Sequence, residues 1–338
     1  GQRHDPLGTP FINAPTKGKG VVVSVDQIIG GPEQAGNGWR MLMETLAGGR
    51  GIFLPAMGNG ASKMISRMVG AYCMVRKQFG LEIGKFEGIE EILTRIGGVT
   101  YYLEAMSRFT CGALDAGSNP PVISAIAKYQ ATEFNRTIVN DAMDIIGGAG
   151  IVLGPRNLIG HGYMALPIGI TVEGSNIVTR SLIIFGQGLI RCHPFALKEM
   201  ETLENGDVKG FDKAFWGHIG LTIRNTFRSI LLSITRGYLS IPPNFGPTAK
   251  YYRKLSWTSA TFSFLADLAL ASLGGELKKK EKLSGYFADV LTWQYMATCA
   301  LRKYEADGRP KDDLPLVKWC CENALVNIQK GFDNIFNN

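Results

Sequence analysis

Cysteine and histidine are scarce in this sequence, and those present are scattered. The six cysteines (Cys73, Cys111, Cys192, Cys299, Cys320 and Cys321) form no Cys-x-x-Cys pair, and the four histidines do not cluster with them. This excludes the spacing of a zinc site or a disulfide framework and predicts reduced, mostly buried thiols. His161, His193 and His218 have no carboxylate or cysteine at ligand spacing along the sequence and are read as structural. Long apolar runs are also missing. Stretches such as Leu182 to Ile190 are interrupted by Gly and Gln and fall short of the roughly 18 to 20 residues of a bilayer span, so no crossing is expected. Gly1 to Pro10 is polar and turn-like, without an initiating Met or the basic-then-apolar pattern of a signal peptide; it reads as the interior of a longer sequence. No repeat or low-complexity tract is evident.

What is present is ordinary globular composition. The chain has 338 residues, of which 45% are hydrophobic, 19% charged and 10% aromatic. This is length for about two domains and argues against disorder. Lys and Arg number 36 against 29 Asp and Glu, a net charge of +7. Such an excess favours anionic partners, among which nucleic acid, acidic lipid and phosphorylated cofactors all fit.

Gly20-Val21-Val22-Val23-Ser24-Val25 reads as a β-strand between glycine-rich turns. A lone strand is unstable, so its partners are expected elsewhere. From about Gly38 the period becomes helical. Leu42, Thr45 and Leu46 begin a helix expected to stop at Gly48-Gly49, and a long segment follows from Arg50 to Phe79. Helical stretches follow at about 86–115 and 121–146, the second announced by Asn119-Pro120-Pro121. Gly147-Gly148-Ala149-Gly150 ends it, and after an irregular stretch another helix begins near Glu173 and runs to about Arg191. The polar segment Glu199 to Asp212 is the linker candidate. Phe215–Leu239, Ala249–Leu273, Leu283–Lys303 and Leu314–Phe336 read as four further helices, with Leu283, Phe287, Leu291, Tyr295 and Cys299 forming one stripe at i, i+4 spacing.

Two tempting patterns carry little. Gly148-Ala149-Gly150 with Gly154 has one residue too many for GxGxxG and follows a helix, where a dinucleotide fingerprint needs a strand. Lys278-Lys279-Lys280-Glu281-Lys282 reads as a solvated turn.

Three constellations have chemical content. Arg76-Lys77-Gln78-Phe79-Gly80 offers a guanidinium suited to a pyrophosphate and a ring suited to a flat partner. It reads equally well as a helix C-cap with Gly80 left-handed. Ile145-Ile146-Gly147-Gly148-Ala149-Gly150 lets a ligand approach the backbone, or simply stops a helix. In Thr171-Val172-Glu173-Gly174-Ser175-Asn176 a carboxylate sits beside Ile168, Ile170 and Val172, surroundings that suit a general base. The competing role is an acid at a helix start.

Their order is what is distinctive. A helix ending in R-x-x-F-G, one ending in I-x-G-G-x-G, and E-G-[ST] opening a last helix resemble the flavin-dependent acyl-CoA dehydrogenases. The likeness runs from Phe11 to Pro194 and includes Ile28-Ile29-Gly30, Gly36-Asn37-Gly38-Trp39 and Thr45-Leu46-Ala47-Gly48-Gly49-Arg50. The second half, with Leu273-Gly274-Gly275-Glu276-Leu277-Lys278 and Asp313-Leu314-Pro315-Leu316-Val317, resembles the extra helical domain of large bacterial fatty-acid members. The fold class implied is mainly α: a C-terminal four-helix bundle followed by a second helical bundle, with a short remnant of the β-domain at the N-terminus. The corresponding boundaries are 1–35, 36–198 and 199–338.

The resemblance implies FAD-dependent α,β-dehydrogenation of fatty acyl-CoA to trans-2-enoyl-CoA, the first step of β-oxidation. It makes Glu173 the base, its amide and Gly174 part of the substrate site, and Arg50 the arginine that orders the active-site loop. It assigns Arg76, Phe79, Gly147, Gly148 and Ser175 to FAD, with Arg76 and Phe79 on the cofactor of a neighbouring subunit. Asp144, Ile177, Ala47 and Val172 depart from residues common in the family at the flavin site, the loop before Arg50 and the position before the base. The implied partners are electron-transferring flavoprotein and a second copy of the chain, as homodimer or higher homo-oligomer, without nucleic acid. The implied location is cytoplasmic, with peripheral attachment to the inner membrane left open. Two other classes stay open: a non-catalytic relative that keeps flavin and binds nucleic acid, and a basic helical module that docks on membrane.

Overall fold

The computed structural model describes residues 1–9, 13–118 and 120–337. Phe11, where the resemblance begins, and Asn119 of the Asn-Pro-Pro signal lie outside the described residues, as do the side chains of Trp39 and Ala47. The helices in chain order are α1 (Gly38–Val75), α2 (Glu87–Asp115), α3 (Pro121–Ile146), α4 (Gly148–Ile151), α5 (Gly160–Thr171), α6 (Asn176–Val178), α7 (Gly188–Cys192), α8 (Ala196–Glu204), α9 (Val208–Ile234), α10 (Ala249–Leu273), α11 (Glu281–Ala306) and α12 (Leu314–Phe336). A nine-residue π-helix, Thr179–Gln187, joins α6 to α7. A hairpin of β1 (Lys77–Gln78) and β2 (Leu81–Glu82) follows α1. The chain forms two compact units, residues 1–100 with 110–175 and residues 101–109 with 176–338.

In the first unit α1 and α3 lie side by side and run the same way. A Cβ on Gly51 would come within 2.8 Å of Ser124 Oγ, and one on Gly58 within 3.1 Å of Ala131 Cβ, so these glycines permit the close approach. Farther along, the Tyr72 hydroxyl reaches the Ile146 carbonyl at 3.5 Å. The helix expected to stop at Gly48-Gly49 runs straight on. A glycine costs a helix only about 1 kcal/mol, and the packing against α3 outweighs that. The strand expected at Gly20–Val25 does not form. Val21, Val22 and Val23 are exposed and Val25–Gln27 turns as a 3-10 helix, because the segment has no ladder partner among the described residues. The stretch from 151 to 172, expected to be irregular, contains α5. Pro167 and three glycines hide its period, yet Gly169 packs at 3.2 Å against Thr132 of α3.

In the second unit Phe185 of the π-helix stacks on Phe287 of α11 at 4.4 Å, and Arg180 makes a two-pronged ion pair with Asp289 (2.7 and 2.6 Å). Cys299, Cys320 and Cys321 are buried and unbridged here, as is Cys73 in the first unit, whereas Cys192 is exposed. The linker expected at Glu199–Asp212 is instead α8 and a turn. Asn205-Gly206 ends that helix, with Gly206 left-handed, and the Asp207 carboxylate accepts from the Gly210 N–H at 3.0 Å to start α9. The histidines, which had no partner along the sequence, find carboxylates in space. His193 Nδ1 accepts from the N–H groups of Phe195 and Ala196 (3.2 and 3.0 Å), capping α8, and its Nε2 faces Asp267 at 3.1 Å. His218 Nδ1 pairs with Glu199 at 2.9 Å, and Thr222 donates to Asp267 at 3.0 Å. His193, His218 and Asp267 lie within metal-ligand reach of one another. The two backbone donors fix the lone pair of His193 on Nδ1, so Nε2 carries the proton that Asp267 accepts. The cluster is thereby a hydrogen-bond network whose central ring nitrogen is closed to a cation.

Among the described residues one helix, Ala249–Lys278, is long and apolar enough to cross a membrane. Its Asp267 is buried in the network just described.

Candidate functional site

Glu173 follows α5 in a left-handed conformation (φ 54°), and Gly174 continues the turn at φ 90°. A left-handed glutamate costs roughly 1–2 kcal/mol that an ordinary loop has no reason to bear. The turn bends the chain between α5, which ends at Thr171, and α6, which starts at Asn176. It leaves Glu173 half-buried, with Oε2 shielded from water and without a hydrogen-bond partner. Among the described residues its backbone N–H donates to no backbone carbonyl.

Two buried cations face this turn. Arg50 of α1 is 5% exposed, and its Nε has no hydrogen-bond partner. Burial lowers the guanidinium below its usual value, and the charge of Glu173 works in the opposite direction. Lys128 of α3 is completely buried and donates from Nζ to the Gly174 carbonyl at 2.8 Å. Burial pushes its ammonium down to about 8; the charge of Glu173 opposes the shift and that of Arg50 adds to it. Sequence reading singled out Arg50, Glu173, Gly174 and Ser175 but missed Lys128. Its signal is faint: a lysine in Ala125-Ile126-Ala127-Lys128-Tyr129-Gln130-Ala131, where small neighbours leave room for a long buried side chain.

A second grouping lies at the other end of α1 and α3. The helix expected to end at Gly80 ends at Val75, with Arg76 as its C-cap, and Lys77–Glu82 form the hairpin. Antiparallel pairing outcompetes a helical cap here because Glu82 accepts Lys77 and Lys85 at 3.3 and 2.7 Å, and the Ile83 N–H closes on the Arg76 carbonyl at 2.8 Å. Phe79 and Gly80 are the two turn residues, both left-handed (φ 52° and 82°). Such a turn prefers Asn-Gly; this one places a phenylalanine there and leaves it 94% exposed. Across from it Gly147 ends α3 at φ 62°, ψ −135°, a conformation open to glycine alone. A Cβ on Gly147 or Gly148 would meet nothing within 4 Å. Arg76, Phe79, Gly147 and Gly148 line one cavity of about 650 Å³, together with Tyr72 and Asp144.

The predicted residues therefore fall into two groups. Lys128 and Ile146 are 18 residues apart on α3, which at 1.5 Å per residue separates the groups by about 27 Å.

A family description of the acyl-CoA dehydrogenase C-terminal domain matches residues 36–186, and one of the bacterial-type acyl-CoA dehydrogenase C-terminal domain matches residues 190–338. The chain is 24% identical over 345 residues to the probable acyl-CoA dehydrogenase FadE10 of Mycobacterium tuberculosis, covering 96% of this chain and 51% of that one. It is 55% identical over 71 residues to protein HemX of Proteus mirabilis, 21% of this chain and 42% of that one. A crystal structure of an acyl-CoA dehydrogenase complexed with FAD from Bacillus anthracis superposes with a TM-score of 0.65 at 17% identity, over 85% of this chain and 48% of that one. The fold is thus the helical half of a dehydrogenase. The chain belongs to the acyl-CoA dehydrogenase family, and it spans about half the length of the curated relatives it matches.

Proposed function

We propose that this chain supplies the catalytic base, and part of the cofactor surface, of an FAD-dependent dehydrogenase of fatty acyl-CoA thioesters. The observation that carries the reading is Glu173: a left-handed glutamate with an unpartnered buried carboxylate oxygen, set beside two buried cations. A thioester α-proton is weakly acidic, so its removal needs a carboxylate close to the α-carbon and a donor at the carbonyl oxygen where enolate charge grows. Glu173 takes the α-proton onto its carboxylate. Its own N–H, which has no backbone acceptor among the described residues, is the donor to the thioester oxygen. Gly174 keeps the turn open beside the substrate, and Lys128 holds that turn through the Gly174 carbonyl. Arg50 balances the charge of the carboxylate from inside α1.

FAD fits the second group: an exposed aromatic ring, a guanidinium and open space over two glycines suit a flat ring system and a pyrophosphate. Arg76, Phe79, Gly147 and Gly148 would hold it there, and Ser175 would touch it beside the base. The chemistry FAD would supply there is an acceptor for the β-carbon hydride, so that with the α-proton taken by Glu173 the product would be the trans-2-enoyl-CoA. The separation of the two groups favours their serving two different FAD molecules. That points to a homodimer or larger homo-oligomer, with electrons leaving to an electron-transferring flavoprotein.

The test is Glu173→Gln in the complete, FAD-loaded enzyme mixed anaerobically with a long-chain acyl-CoA. The flavin should stay bound and its visible absorbance should not bleach. Bleaching at the wild-type rate excludes Glu173 as the base, whereas a wild-type enzyme that never bleaches with any acyl-CoA points to the non-catalytic relative.

A further inference from the structure

We propose that the outward face of α9, with the segment that follows it, docks on the surface of an anionic phospholipid membrane. This does not rest on the catalytic reading.

The face is inverted for a soluble bundle. On α9 three of the four buried positions are small or polar: Ala214, Asn225 and Ser229, with Leu232 the large apolar exception near the helix end; Asn225 donates to Ser263 at 2.8 Å, and Ser229 bonds Thr261 at 3.1 Å. The outward positions are Trp216, Ile223, Phe227 and Ile234, which are 67%, 53%, 71% and 78% exposed. At about 100° per residue these four fall within an arc of about 40°, a continuous ridge along the helix. Past the helix end the chain adds Tyr238, Leu239, Ile241 and Phe245, all exposed. Ordinary surface helices turn their apolar stripe inward. A stripe of this length turned outward marks a site of contact.

Charge decides what it contacts. From Lys213 to Ala266 the sequence contains no Asp or Glu and seven Lys and Arg: Lys213, Arg224, Arg228, Arg236, Lys250, Arg253 and Lys254. The rest of the chain has 29 basic and 29 acidic residues, so the whole net charge of the protein resides in this one segment. Arg224 and Arg228 are exposed and lie on one flank of the ridge by the same helical geometry. An apolar ridge with Trp and Phe, flanked by arginine and free of carboxylates beyond Asp212 in the first turns of the helix, matches a lipid interface. The rings and Ile side chains enter the headgroup boundary while the cations meet lipid phosphates. Asp267 is held in the His193 network, which keeps α10 in the bundle, so the mode is docking and not insertion of a span.

The experiment is co-sedimentation of the chain with phosphatidylglycerol-containing vesicles and with pure phosphatidylcholine vesicles. The expected result is binding to the first that weakens as salt rises, with little binding to the second. Each cation near the surface is worth about fivefold, so Arg224→Gln with Arg228→Gln should weaken binding about 25-fold. Ile223→Ser with Phe227→Ser should abolish it. All four positions are exposed, and an unchanged thermal melt confirms that the variants fold. Equal binding to both vesicle types, or binding indifferent to both double variants, overturns the proposal. So does a dimer in solution that the Ile223 and Phe227 changes dissociate while vesicles are ignored, since the ridge then belongs to a second copy of the chain.

Discussion

Lys128 allows a quantitative test of the buried turn. Its ammonium is fully buried and lies at about 8, against 10.5 for a free lysine. At about 1.36 kcal/mol per pH unit, carrying that charge in the fold costs on the order of 3 kcal/mol at pH 7. The hydrogen bond to the Gly174 carbonyl returns about 1.5–3 kcal/mol. The two nearly cancel, so Lys128→Met should be within about 1.5 kcal/mol of wild type at pH 7, where most buried-residue substitutions cost more. Its pH dependence has a definite sign. The folded-state value lies below the unfolded one, so unfolding takes up a proton between about pH 8 and 10.5. Wild-type stability therefore gains on the variant across that window, by up to about 3 kcal/mol. Urea unfolding of both proteins at pH 7, 9 and 10 measures the difference, and other titrating groups cancel between them. A difference that stays flat with pH, or a variant loss well beyond about 3 kcal/mol at pH 7, refutes the reasoning. A lysine that stabilises the fold so little is there for the turn it holds, and in the loaded enzyme the same substitution should lower kcat tenfold or more.

Phe79→Asn supplies the residue that a left-handed Phe-Gly turn prefers, so the chain should gain up to about 1 kcal/mol while the complete enzyme loses FAD more readily. Unfolding curves and flavin content after gel filtration check this; a variant less stable by more than the edge-on Phe86 contact is worth, about 1 kcal/mol, contradicts the strain argument, and unchanged flavin contradicts the assignment of Phe79. His193→Ala removes both the cap of α8 and the donor to buried Asp267, and should cost about 2–4 kcal/mol. A loss below 1 kcal/mol in chemical denaturation argues that the network is not what holds α8.

Periodicity made α2, α3, α10, α11 and α12 legible within about three residues, because each buries a regular apolar stripe. Where it misled, a long-range contact had overruled a local signal. Gly48-Gly49 looks like a stop, and α5 with its Pro167 looks irregular; α1 continues because Gly51 and Gly58 just beyond pack against α3, and α5 forms with Gly169 against Thr132 of α3. The hairpin at Lys77–Glu82 depends on Glu82 joining two lysines, a pairing invisible without coordinates. Motifs singled out Glu173, Arg76 and Gly147 by their order along the chain, since each motif taken alone reads equally well as a helix cap or stop. Lys128 and the His193–Asp267 pair were not, because a residue's partners across tens of positions leave no mark on its neighbours.

Backbone strain gives an independent reason to group these residues. The non-glycine residues with positive φ among those described are Leu7, Phe79, Glu173, Arg236 and Arg309. Two of the five coincide with positions picked out for their chemistry alone, and a third, Arg236, closes the helix that presents the exposed ridge. A left-handed phenylalanine could be relieved by Asn at the cost of one edge-on ring contact with Phe86, and a left-handed glutamate by Asn or Gly. Strain retained where relief is so available implies that the side chain itself is required. For Glu173 the proposed requirement is a carboxylate with a buried, unpartnered oxygen beside two buried cations. For Phe79 it is an aromatic ring that touches Phe86 only edge-on and is otherwise held out in solvent, as the proposed contact with a flat cofactor requires.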